Sequence, residues 1–435
     1  MYRTEPQHSQ TDFQQYYDTP HGAPAQDIPL QKYGGYMQTP AAESQADIAG
    51  RDYHSKPTPP TDAWLEKPAP RQGGRTKWKV LGALSLLGLV GAGVALGVVL
   101  SKKSAAASGS SNTSSKASVG GDPSVFAKDA ALVKSFWGIA YTPEGSQLPN
   151  CGNSLDDIIK DIQLLSQLTT RIRLYGADCN QTELVLEAIV RTKVDMTVWL
   201  GNYVVATDKG AAYARQRDLI GAALRKYGAA HVGGVTVGNE FMLNYLNANK
   251  AVDPNGSVGN VGAAMLIEFI KDTRAMMGTL GLGNITVGTS DAGSYFNTLV
   301  LESIDYGMAN VHAWFANTTI EAAAGWTADF FRETNLPAAA AVPNKPEMFI
   351  AETGWPTNSS DAVSASNGAA VASEANLQIF MDTFVCQANA NGTKYFFFEH
   401  FDEKWKDDDF GGVEGWWGLF HRNRTLKSIT IPTCS

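Results

Sequence analysis

From Val125 onward, short apolar runs alternate with longer stretches in which apolar residues recur every three to four positions. The short runs are Phe136–Tyr141, Thr170–Gly176, Met196–Asn202, Gly234–Glu240, Ile285–Asp291, Asn310–Phe315, Met348–Glu352 and Tyr395–Phe401. Runs of this length bounded by Gly, Pro or polar residues read as strands buried on both faces of a parallel sheet. Between them lie helical patterns: Leu155-Ile158-Ile159-Ile162-Leu165, Leu184-Val185-Ala188-Ile189, Tyr213 to Tyr227, Ala263 to Leu280, and Ala372 to Ala388. Eight such repeats over about 300 residues predict an α/β chain closed into a (β/α)8 TIM barrel spanning 125–435. An open doubly wound sheet is the alternative, but no Gly-x-Gly-x-x-Gly turn follows the first strand.

The pattern upstream is different. Residues 1–79 hold ten of the nineteen prolines and show no apolar periodicity, so they bury too little surface to offset the entropy of ordering. A disordered tail is expected there. Val80–Leu100 is 21 consecutive uncharged residues, enough to cross a hydrocarbon core, which takes about 20. It lies too far along for a cleaved leader, so a signal anchor is expected. Lys67, Arg71, Arg75, Lys77 and Lys79 precede it, against Lys102, Lys103 and Lys116 after it. That bias orients the tail to the cytoplasm and the bulk of the chain outside, a single-pass type II arrangement in the cell membrane. Gly93 and Gly97 have the spacing of a helix-pairing motif. Residues 101–124, rich in Ser, Ala and Gly, read as a flexible spacer.

Composition sharpens this picture. With 44% hydrophobic and 18% charged residues the chain has a large core, and a net charge of −8 argues against nucleic acid as a partner. Beyond the span, Asn-x-Ser/Thr sequons occur at Asn112, Asn180, Asn255, Asn284, Asn317, Asn358, Asn391 and Asn423. They support an exported glycoprotein, with Asn284, at the start of a strand, the one expected to stay bare. An exported domain forms disulfides. Cys151 and Cys179 follow strands one and two and so share a rim; Cys386 is then left to tie down Cys434.

A barrel of this kind carries its chemistry at the carboxyl ends of the strands. There the chain places Tyr141, Arg173, Tyr175, Asn239, Glu240 and Asp291, then His312, Trp314, Glu352, Trp355, Glu399 and His400. His312 and His400 lack metal-ligand partners at helical or loop spacing, no Gly-x-Ser-x-Gly elbow occurs, and no cysteine has a base beside it, so no metal or cofactor is expected. Of the strand-end carboxylates, Glu240 and Glu352 form the leading pair, with Glu399 and nearby Glu403 on strand eight and Asp291 on strand five read as supports. Packing alone would call for Val or Ile at such positions, and Arg173 is the only strand-end arginine available to neutralise them. A carboxyl pair of this sort performs glycoside hydrolysis with retention when the two groups lie about 5 Å apart. Tyr141, Tyr175, Trp314, Trp355 and Trp416 offer aromatic faces for sugar rings.

Asn239-Glu240 and Glu352-Thr353-Gly354-Trp355-Pro356, with Phe401-Asp402-Glu403-x-x-Lys406, Glu414 and Trp417-Gly418-Leu419-Phe420, resemble glycoside hydrolase family 17. The resemblance covers Val125 to Ser435, and the anchored arrangement is similar to fungal membrane-anchored glucan endo-1,3-β-glucosidases. It implies Glu240 as proton donor and Glu352 as nucleophile. Glu403, Lys406 and Glu414 would form a charge cluster beside them, from which Lys406→Met should lower turnover while leaving melting nearly intact. Strand six departs from the plant pattern, with His312-Ala313-Trp314 where Tyr-Pro-Tyr is usual. The implied activity is endo-hydrolysis of β-1,3-glucan in the cell wall, by a catalytic domain that is monomeric. A glucanosyltransferase would use the same two glutamates, and a non-catalytic wall-binding protein is the rival from another class.

Overall fold

The computed structural model describes residues 121–434. The expected tail and membrane span, and the spacer up to residue 120, lie outside the described residues. Among those described, no helix is long and apolar enough to cross a membrane.

Eight parallel strands close into a barrel in the order β1-β10-β7-β6-β5-β4-β3-β2. They are β1 (Gly138–Ala140), β2 (Arg171–Arg173), β3 (Thr197–Asn202), β4 (Val232–Asn239), β5 (Val287–Ala292), β6 (Tyr306–Asn310), β7 (Glu347–Thr353) and β10 (Tyr395–Phe397). The short pair β8 (Ser366–Asn367) and β9 (Ala370–Val371) is a separate antiparallel hairpin in the loop after β7. The (β/α)8 expectation therefore holds.

The expected helices are α1 (Leu155–Leu168), α2 (Gln181–Thr192), α3 (Ala211–Tyr227), α5 (Ser257–Thr279) and α9 (Glu374–Ala390). Local chemistry starts two of them: the Ser154 and Ser373 hydroxyls accept the backbone N–H three residues on, as N-caps do. The pattern missed α4 (Phe241–Ala248), α6 (Thr298–Leu301), α7 (Ile320–Phe330), α8 (Leu336–Ala340) and α10 (Lys404–Phe410). These are short, Ala-rich or charged, and lack a clear apolar stripe.

Strand six was misplaced. The expectation was Asn310–Phe315, but β6 ends where that run begins. Val311, Ala313 and Trp314 are buried beyond the ladder, whereas the true strand carries a Gly at its second position. A Cβ at Gly307 would meet the Met348 Sδ at 2.6 Å, so a larger residue there would force the Met348 side chain to shift. Strand eight likewise leaves the ladder four residues early, at Phe397 rather than Phe401.

Alternation along the strands builds two cores. Val198, Leu200, Val235, Val237 and Ile350 face the helices, while Trp199, Tyr306, Met308, Phe349 and Phe396 fill the barrel's interior. Above that aromatic plug the inward positions turn polar, at Arg173, Ser290 and Asn310. The change marks the floor of the mouth at the carboxyl ends of the strands.

Candidate active site

Strict alternation would send Asn239 and Glu352 toward the helices. Two bulges prevent this. Between β4 and β5, Thr236 pairs with Gly288 but Asn239 pairs with Ser290, a register shift centred near Gly238. Gly238 has φ +90°, a conformation that costs a side-chain-bearing residue about 1–2 kcal/mol. Glu240 follows in the left-handed region at φ 54°. Together they aim both Asn239 and Glu240 into the barrel mouth. Between β6 and β7, Ala309 pairs with Ile350 but Asn310 with Glu352, so the extra residue rotates Glu352 inward as well.

Arg173 links these strand ends. Its Nη1 donates to Glu352 Oε1 at 2.9 Å and to the Ala351 carbonyl at 3.1 Å. Its Nη2 donates to Asn239 Oδ1 at 2.6 Å and to Ser290 Oγ at 2.9 Å. The Tyr175 ring lies 4.4 Å from the guanidinium, which is itself 1% exposed. Glu352 is held from the other side by His312, whose Nε2 lies 3.0 Å from Oε2. A carboxylate only accepts, so that nitrogen carries the hydrogen. The His312 ring sits in a box of Phe315, Phe398 and Trp417, which fixes its direction. Burial works against charge on Glu352, but the His312 and Arg173 contacts outweigh it and hold the carboxyl below the usual range. Glu352 is therefore ionised and oriented.

Glu240 has a different neighbour. Asn310 Nδ2 donates to its Oε1 at 3.0 Å. Asp291 accepts from the Met242 and Leu243 N–H groups at 2.7 and 3.3 Å, anchoring the helix that begins just after Glu240. Glu240 and Glu352 line one cleft of about 70 Å3, with Tyr175, Asn239, Lys406 and Glu414 also on its walls. Thr142, Tyr203, Phe398 and Phe410 complete them.

Lys406 pairs with both oxygens of Glu399, at 3.0 and 2.9 Å, and with Glu403 at 3.1 Å. Burial pushes the Glu399 carboxyl well above its usual range, Glu403 adds to that, and Lys406 opposes it. Burial raises Glu403 too, against the pull of Lys406. Burial also disfavours the lysine's charge, yet the two carboxylates hold its pKa above normal. The cluster thus consists of Lys406 with Glu399 and Glu403, whereas Glu414 stands on the cleft wall.

Three expected sugar contacts need correcting. Tyr141, Trp314 and Trp355 are 0%, 2% and 0% exposed and do not line the cleft. The Tyr141 hydroxyl donates to Asp161 Oδ2 at 2.9 Å, Trp355 Nε1 donates to the Val371 carbonyl at 2.8 Å, and Trp314 packs edge-on against Trp355. These rings wedge the upper loops onto the strands, a packing task that selects the same residue types as sugar stacking. The aromatic walls come instead from Tyr175, Tyr203, Phe398 and Phe410. Tyr203 directly follows the end of β3, one residue beyond the apolar run, and Phe410 closes α10, away from any strand end. Asn310 and Ser290 were missed for another reason: as small polar residues they become functional only through the register that brings them beside Arg173.

Cys151 is bridged to Cys179 and Cys386 to Cys434, and no free cysteine remains among the described residues. The exposed sequon asparagines include Asn180, Asn255, Asn317, Asn358, Asn391 and Asn423; Asn284 is exposed too, with the strand starting three residues later.

Residues 138–418 match the BtgE/BtgC glycoside hydrolase domain model. The chain belongs to this family. The resemblance to glycoside hydrolase family 17 is thereby borne out. A probable glucan endo-1,3-β-glucosidase of Aspergillus terreus is 36% identical over 317 residues, 70% of this chain and 46% of that protein. A glucan endo-1,3-β-glucosidase of Emericella nidulans is 36% identical over 318 residues, 70% of this chain and 47% of its own length. The chain thus spans about half the length of these relatives. Among solved structures, a family 17 β-1,3-glucanosyltransferase of Rhizomucor miehei superposes with a TM-score of 0.55 at 24% identity, covering 69% of this chain and 99% of its own. An endo-laminarinase from Formosa gives 0.53 at 18%, covering 70% and 92%. Both share this barrel fold.

Proposed function

We propose that this member of the family cleaves β-1,3-glucosidic linkages within glucan chains, with retention, through a glycosyl-enzyme. The observation that carries the reading is the pairing of two unlike carboxyl groups in one cleft. Glu352 is pinned through both oxygens and kept ionised, as a nucleophile must be, while Glu240 is held by a neutral amide. In the first step Glu352 attacks the anomeric carbon, and Glu240 gives its proton to the departing oxygen. In the second Glu240 takes a proton from water, which attacks the same carbon and releases Glu352. Arg173 and His312 orient the nucleophile and stabilise its charge in the free enzyme. Tyr175, Tyr203, Phe398 and Phe410 supply faces for the sugar rings. The relatives named as glucan endo-1,3-β-glucosidases support β-1,3-glucan as the substrate.

Azide rescue tests the mechanism. Glu352→Ala should abolish hydrolysis of laminarin and regain it with azide as an inverted glycosyl azide. Glu240→Ala should keep activity only on aryl glucosides with good leaving groups, giving a retained azide. Undiminished laminarin cleavage by Glu352→Ala would sink the reading, and products longer than the substrate would show transfer in place of hydrolysis.

For the setting we infer a type II anchored glycoprotein facing the cell wall, with Val80–Leu100 as anchor. The supporting features are the length of that span, its flanking charges, the downstream sequons and the two disulfides. Protease added to sealed microsomes should remove only the residues before the span. Loss of the barrel would reverse the orientation.

A further inference from the structure

A larger depression, about 320 Å3, lies at the opposite, amino-terminal end of the barrel. Strand register builds it. Gly138 of β1 pairs with Phe396 of β10, and Ile139 pairs with Ile172 of β2. Arg171, the first residue of β2, is therefore level with Gly138. Lys394, just before β10, is level with Phe136. Neighbouring strands are about 4.8 Å apart, so these two cations flank the Phe136-Trp137 segment from either side. Lys134 joins them from the lead-in to β1, while Asn389, in the last turn of α9, and Thr393, in the turn that follows, close the rim.

The charge here runs against the rest of the molecule. The chain carries a net −8, yet the pocket lining holds three cations and no carboxylate. Lys394 reaches Glu347 outside the lining. Among the described residues no ion pair holds Lys134 or Arg171. The Trp137 ring seals the barrel's base against Trp199, Phe349 and Phe396, at 5.7, 5.5 and 5.2 Å between centroids. Arg171 is laid over that ring at 4.8 Å, with Nη1 donating to the Trp137 carbonyl at 3.3 Å. A guanidinium already fixed in place loses little freedom when it meets an oxyanion, and its planar fork suits one. Sealing the base explains Arg171. The Glu347 pair and the Phe349 ring, 5.3 Å from its Nζ, engage Lys394, but neither accounts for Lys134 on the same pocket wall.

The remaining groups suit hydroxyls. Asn389 Nδ2 is used on the Ser135 carbonyl and Cys434 Sγ, which leaves its amide oxygen to accept. Thr393 adds a hydroxyl, and Phe136 and Trp137 give an apolar floor. The volume sits at the small end of ligand sites, which run from roughly 300 Å3 upward. We propose that this pocket binds a small polyhydroxylated anion, a sugar acid or a sugar phosphate, at a site separate from the catalytic cleft. The inference does not depend on the glucanase reading.

Calorimetric titration of the full chain with glucuronate, glucose 6-phosphate, inorganic phosphate and glucose tests it. Both charged sugars should bind at millimolar concentration or better, more weakly as salt rises, and glucose should not bind. Lys134→Glu and Lys394→Glu should each weaken the charged sugars at least tenfold, with the thermal midpoint and laminarin cleavage unchanged for the exposed Lys134. No binding of either charged sugar, or binding indifferent to both substitutions, would overturn the site. Inorganic phosphate binding as tightly as glucose 6-phosphate would overturn its assignment to a sugar.

Discussion

Replacing Arg173 by methionine removes the group on which the catalytic end is assembled. Glu352 Oε1, Asn239 Oδ1 and the Ala351 carbonyl each lose a donor, in a place where the arginine is 1% exposed. Breaking a buried ion pair from one side costs about 3–5 kcal/mol, most of it for the charge left behind. At roughly 2–4 °C per kcal/mol for a domain approaching this size, the melting point should fall by about 6–20 °C at pH 7. The pH dependence separates this account from simple loss of packing. In the folded wild type the Glu352 carboxyl is depressed, burial being outweighed by His312 and Arg173. A depressed carboxyl contributes stability that is present above its unfolded pKa of about 4.5 and lost as pH falls through the folded value. Arg173→Met forfeits that contribution, so the gap in melting temperature between the two proteins should narrow as pH drops below about 4.5. In kinetics the acidic limb of kcat/KM should move to higher pH, because the orphaned Glu352 carboxylate takes up a proton more readily. Arg173→Lys, which keeps the charge but not the fork, should restore part of the limb's position. Differential scanning calorimetry from pH 3.5 to 7.5 and rate profiles on laminarin read both effects. A melting gap that is constant with pH, together with an unmoved acidic limb, would refute the electrostatic role of Arg173.

Three further outcomes are expected. Gly238→Ala should cost about 1–2 kcal/mol through its positive φ and lower kcat more than it raises KM, since Asn239 and Glu240 are re-aimed; denaturant melts and initial rates check both. Lys406→Met should destabilise the fold by about 3–5 kcal/mol rather than leave melting intact, because Glu399 and Glu403 lose their shared buried partner; an unchanged urea midpoint would contradict this. Burial, with Arg424 adding to it, lowers the pKa of His400 to about 3. The unfolded chain then takes up a proton that the folded one does not, so stability should fall by about 1.4 kcal/mol per pH unit as pH drops from 6.5 toward 3. His400→Gln should remove that part of the slope in denaturant titrations.

Much of this protein is legible in one dimension. A strand buried on both faces must be apolar throughout, and a helix packed on it must repeat every 3.6 residues, so the alternation of the two patterns specifies a parallel α/β fold, and the count of eight favours a closed barrel. A glutamate at the end of an apolar run is costly unless used, which makes Glu240 and Glu352 stand out without any coordinates. Which way a strand-end side chain points is another matter. It depends on register, and a single extra residue reverses it. The bulges near Gly238 and Ala351 turn Asn239 and Glu352 into the cleft. Neither bulge leaves a mark in the apolar pattern, because each is set by the pairing with a neighbouring strand. The aromatic residues show the same limit from the other side. Tyr141, Trp314 and Trp355 share the strand-end position and ring chemistry of Tyr175 and Tyr203, yet they ended up in the core, while Phe410 reached the cleft from a short helix. Hydrophobic pattern reports that a residue is buried. Only the folded chain decides whether it is buried against protein or against the place where a substrate goes.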